Sequence, residues 1–124
     1  MKTTSTDILK AIPDYEELIK VAGEISGLMF RKLTLESRIK AGEADVFKRA
    51  GTEEKFFQGG KPPATNYIEN TYKHTGLDNE LLPLRAELAE VIAALEEKKL
   101  VMDVYKSMID IWRTLNSSER AATI

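Results

Sequence analysis

Few residues in this chain are equipped for chemistry. The one histidine, His74, has no evident nucleophile partner, and no Glu-x-x-His pair occurs, so a di-iron carboxylate bundle is not expected. His74 lies near the expected end of a short helix, where a cation favours the helix dipole, and that structural role is the one assigned to it. The run Gly59-Gly60-Lys61-Pro62-Pro63 superficially resembles a phosphate loop. It lacks the upstream glycine and has proline where a serine or threonine must bind magnesium. Glu53-Glu54 and Glu96-Glu97 are adjacent in sequence, so their side chains diverge around a helix and read as surface charge. No nucleophile–base pair emerges, and the expectation is a non-enzyme with no catalytic residue, cofactor or metal site.

Binding is the remaining chemistry. Lys48, Arg49, Lys55 and Lys61 concentrate positive charge around Phe56 and Phe57, with Tyr67 and Tyr72 close in sequence. Lysines that track phosphates and aromatics that stack on bases are the components of a single-strand-binding surface. Glu53 and Glu54 interrupt that patch. The first reading of Phe56 and Phe57 is therefore as hydrophobic plugs holding a turn onto a helix pair, and the second as base stackers.

The bulk properties narrow the classes. The chain has 124 residues, consistent with one domain, with 43% hydrophobic and 31% charged residues, so disorder is not expected. No stretch approaches the roughly 18 apolar residues of a membrane span, and MKTTSTDILK has no signal-type apolar core, so neither membrane insertion nor export is expected. Cysteine is absent, which suits a cytoplasmic setting, or the host cytoplasm for a viral protein. Net charge is −2, from 18 basic and 20 acidic residues. Nucleic-acid binding would then depend on a local basic patch rather than on global charge.

The elements that must position these residues are helical. From Leu81 the positions Leu84, Leu88, Val91, Leu95, Lys98, Met102, Tyr105, Ile109 and Trp112 follow alternating three- and four-residue steps, and only Lys98 breaks the apolar run. A second row, Ala94, Val101, Met108 and Leu115, lies beside the first. Such a pattern predicts a long helix in coiled-coil-type packing. Its start is placed at Asp78 or Asn79 as cap, with Pro83 tolerated in the first turn. A looser stripe from Tyr15 through Leu18, Ile25, Leu33 and Ile39 to Phe47 predicts an earlier long helix, opened by Asp14 and Glu17 and weakened by Gly23, Gly27 and Gly42. Between them Gly-Gly and Pro-Pro reverse the chain. A short helix capped at Asn66 and Glu69 follows and is stopped by Gly76.

The expected organisation is thus an N-terminal arm (1–13) and one helical domain: a long helix (14–50), a connector with a short helix (51–78), a long helix (79–116) and a weakly helical tail (117–124). The fold class is all-α, two long antiparallel helices forming a hairpin. A single hairpin cannot cover so wide an apolar stripe, which predicts a homo-oligomer with Leu88, Leu95, Val101, Met102, Met108, Ile109 and Trp112 in the interface.

The connector and final helix also resemble a family, the UvsY-type recombination mediators of tailed phages. Phe56-Phe57-Gln58-Gly59-Gly60-Lys61, followed by Pro62 to Glu69, is similar to that family's aromatic pair, glycine, basic and Pro/Tyr segment. Leu95 to Arg113 is similar to its amphipathic C-terminal helix. The family's Lys-x-Arg ahead of the aromatic pair falls on Gly51 and Glu53 here, with Lys48 and Arg49 one turn earlier. The resemblance implies a ring-forming helical protein that binds single-stranded DNA and helps load a RecA-like recombinase in place of a single-strand-binding protein. From the residues alone, an adaptor, inhibitor or viral assembly component acting only through protein contacts fits the same pattern.

Overall fold

The computed structural model describes residues 2–123 and is helical almost throughout. In chain order the helices are α1 (Ser5–Ala11), α2 (Tyr15–Thr52), a 3-10 turn at Glu54–Phe56, α3 (Thr65–Thr71) and α4 (Leu81–Ala122). The long helices α2 and α4 pack against each other in opposite directions, making an all-α helical hairpin. Glu24 meets Lys98, whereas further along α2 Arg31 meets Glu87 and Gly42 meets Leu81. Two compact units are distinguished, one of residues 1–28 and 94–124 and one of residues 29–93.

In the 29–93 unit the core forms where α2, α3 and α4 converge. Val46, Ala50, Ile68 and Leu81 are buried together, with Phe47, Tyr72, Leu77 and Leu84 packed around them. The chain can close there because Gly42 has no Cβ: a methyl group at that position would overlap the Leu81 side chain. The glycine that weakens α2 as a helix is what admits Leu81 to the core.

The connector reverses at Gln58–Lys61, which exchange two backbone hydrogen bonds of 2.8 and 3.1 Å. Gly59 and Gly60 sit at φ +60° and +78°, the left-handed conformation such a two-residue turn demands. α3 begins at Ala64 with no side-chain cap, so Asn66 lies inside the helix and the expected Asn66–Glu69 box does not form. The helix ends at Thr71, and a turn carries the chain on to Gly76, whose N–H bonds Tyr72 O at 2.7 Å. Arg85 fixes this turn, donating to His74 O (2.7 Å) and Lys73 O (3.3 Å). Neither Asp78 nor Asn79 accepts a side-chain hydrogen bond at the start of α4. Instead the Glu80 carboxylate folds back to accept from the N–H groups of Leu77 (3.2 Å) and Asp78 (2.7 Å).

In the 1–28/94–124 unit, Asp14 accepts from Glu17 N–H at 3.0 Å and opens α2 as the sequence predicts. Lys98, the break in the apolar row of α4, faces Glu24 at 2.6 Å. The segment expected to be a weak tail is instead the last turns of α4, which run to Ala122. The reason is tertiary: Glu119 receives both the N–H and the hydroxyl of Ser5, the first residue of α1. α1 itself is opened by a reciprocal box between Thr4 and Asp7.

Candidate interaction surfaces

The connector surface is built from the last turns of α2, the 3-10 turn and α3. These elements bring Lys48, Arg49, Lys55, Phe56, Phe57 and Lys61 into one unit, but in different chemical states. Arg49 is bound to carboxylates: its Nε is 3.1 Å from Glu53 and its Nη2 3.7 Å from Asp78. Glu53 holds the guanidinium more firmly protonated than usual, and Arg49 in turn holds the Glu53 carboxyl below the ordinary range. Lys55 is shared between Glu53, at 3.7 Å, and the face of Phe56, at 5.0 Å from the ring centroid. Lys48 and Lys61 are exposed, and among the described residues neither has a carboxylate within 4.0 Å.

The aromatics settle into the turn. Phe56 is half-buried with its ring edge-on to Tyr72 (5.9 Å between centroids), and Tyr72 stands edge-on to Tyr67 (6.1 Å). Burial, together with Tyr67, raises the Tyr72 phenol above its usual pKa. Phe57 is half-buried at the C-terminal end of the 3-10 turn. Of these four aromatics, Tyr67 is the one that stays exposed. The intrusion of Glu53 was visible in the sequence. The role of Asp78 was not, because only the folded chain brings it to Arg49.

The second candidate surface lies on α4 in the 1–28/94–124 unit. Of the residues expected at an oligomer interface, Leu95 is 2% exposed and packs inside its own chain, which removes it from any outer contact. Val101, Met102, Met108, Ile109 and Trp112 are half-buried there, and Leu88 is half-buried in the other unit. The open positions are ones the sequence reading passed over: Leu100 (64% exposed), Val104 (56%) and Ile111 (48%). Val101, Val104, Met108, Ile111 and Leu115 repeat the alternating three–four step one face away from the buried row. The signal was therefore present in the sequence, as a second seam offset from the first. A shallow depression of about 280 Å³ lies on it between Asp110, Ile111, Thr114 and Leu115.

Among the described residues no three His, Asp or Glu side chains gather as a metal site, and no helix is long and apolar enough to cross a membrane. No known protein family matches the chain, and no curated protein or solved structure shows significant similarity to it.

Proposed function

We propose that this chain is a non-enzymatic helical protein that works by self-association and protein contact. The observation that supports this best is the open row on α4, where Val104 and Ile111 stand about half exposed in a three–four repeat. Such a row is what one helix presents to another, and leaving it in water forgoes roughly 25 cal/mol for every Å² of apolar surface. Sedimentation equilibrium at micromolar concentration should find multiples of 13.9 kDa. A single 13.9 kDa species persisting to high concentration would refute the assignment.

A second reading is the one the family resemblance implies: single-stranded DNA binding in aid of a RecA-like recombinase, displacing a single-strand-binding protein in a host cytoplasm. What favours it is that Lys48 and Lys61 remain exposed and unpaired among the described residues, in the same unit as exposed Tyr67. With Arg49 and Lys55 already facing carboxylates, affinity should be modest. If two lysines carry it, the salt slope should be shallow, about −1.4 for two phosphates on a single strand. Titration of a labelled oligonucleotide at low salt tests this, with Lys48→Ala/Lys61→Ala abolishing the signal. Absence of binding by the unaltered protein would leave the protein-contact reading alone.

A further inference from the structure

Glu53 stands between two cations and fully satisfies neither. Its Oε1 accepts from Arg49 Nε at 3.1 Å, whereas its Oε2 lies 3.7 Å from Lys55 Nζ, beyond hydrogen-bond reach. Oε2 is nonetheless shielded from water and, among the described residues, receives no hydrogen bond. A carboxylate oxygen hidden without a donor is disfavoured, so this is a poor resting place for Glu53.

Arg49 is short of partners too. A guanidinium carries five N–H donors in a planar fork suited to two oxygens of one anion. Among the described residues Arg49 makes one hydrogen bond, through Nε, while Nη2 lies 3.7 Å from Asp78. The Arg49 and Glu53 side chains are 30% and 38% exposed, and ion pairs open to solvent to that extent hold weakly.

From these mismatches we infer that Arg49 and Lys55 form a phosphate site, masked in the free chain by Glu53. The inference rests on the single-strand reading and names a contact within it that the chain itself regulates. A phosphodiester offers two unesterified oxygens, enough for the Arg49 fork and the Lys55 ammonium together. When Glu53 turns outward to admit it, Oε2 regains water, so the exchange removes both mismatches. What lies beside the site selects a strand rather than a free anion. Lys55 is 5.0 Å from the Phe56 ring centroid, Phe56 is edge-on to Tyr72, and Tyr72 is edge-on to exposed Tyr67. A strand held by a phosphate at Lys55 finds an exposed aromatic for a neighbouring base at the end of that row. All of these residues belong to the 29–93 unit.

A fluorescent oligothymidine titrated over a range of salt reads the mask. In the unaltered chain Lys48 and Lys61 carry binding, with the slope of about −1.4 expected for two phosphates. Glu53→Gln keeps the shape of the side chain and should free Arg49 and Lys55, steepening the slope to about −2.8. A fourfold rise in salt should then weaken the variant about sevenfold more than the original. Glu54→Gln removes the same charge from the next residue, which is exposed and has no cation within 4.0 Å among the described residues. It should leave the slope unchanged. Adding Arg49→Gln and Lys55→Gln to Glu53→Gln should restore about −1.4. Inorganic phosphate at matched ionic strength should not displace the oligonucleotide. A Glu53→Gln slope equal to the original's, an equal steepening in Glu54→Gln, or displacement by inorganic phosphate would overturn this inference and leave the single-strand reading standing. No binding by the original chain or by either variant at low salt would overturn both.

Discussion

The two units of the molecule bury apolar surface to different extents. Among the described residues, Leu35, Ile39, Val46, Ala50, Ile68, Leu81 and Val91 are buried hydrophobics of the 29–93 unit, against Val21 and Leu95 in the other. In the first, three helices converge and the connector folds over them, so Val46 is fully enclosed and Leu81 nearly so. In the second, polar pairs join the elements: Lys98 with Glu24, and Ser5 with Glu119. Exposed ion pairs contribute little to stability, whereas a buried leucine contributes several kcal/mol. Stability should therefore come mainly from the 29–93 unit, and the other should supply contact surface.

The largest expected effect tests that division directly. Leu81→Ala should lower the unfolding free energy by about 2–5 kcal/mol, whereas Ile111→Ala should change it by less than about 0.5 kcal/mol. Urea titration below the concentration of assembly measures both. Equal losses would erase the contrast between the units.

The glycines of α2 sharpen the same comparison. Gly42→Ala places a methyl group against Leu81 and should cost about 1–3 kcal/mol. Gly23→Ala meets open space and should stabilise the isolated chain by about 0.5–1 kcal/mol through its better helix propensity. Differential scanning calorimetry should then show melting temperatures moving in opposite directions.

The smallest effect concerns α1. The hydroxyl and N–H of Ser5 hold the Glu119 carboxyl below its usual pKa. Its contribution is therefore complete above the ordinary carboxylate range and is lost as pH falls through the lowered value. The protection factor of the Ser5 amide, corrected for the intrinsic pH dependence of exchange, should fall in acid before that of Val46 does. Glu119→Gln should flatten that response, leaving the part due to Asp7, which Thr4 also holds low. Simultaneous loss of protection at both sites would mean that α1 is no weaker than the core.

Much of this architecture was legible in the sequence because its signals are local. The row from Leu84 to Trp112, the Asp14 cap and the glycine pair at 59 and 60 depend on residues within a turn or two of one another, and each appears where the pattern places it. One of the errors is local and the others have a distant partner behind them. Glu80 displaced Asp78 and Asn79 at the start of α4 by reaching back to two amides. Ser5 held residues that read as a fraying tail. Arg85, unremarked in sequence, anchors the turn after α3 because that turn passes beside α4.

The candidate surfaces divide in the same way. Sequence alone determined that this protein is built from long amphipathic helices, and that its cations and aromatics meet in the connector, because hydrophobic period and turn chemistry are properties of neighbouring residues. Only the tertiary structure decided that Arg49 also meets Asp78, that Phe56 lies against Tyr72, and that Leu100, Val104 and Ile111 remain in water while Leu95 does not. Period names the faces a helix has, but which of them is covered depends on what the rest of the chain lays against it.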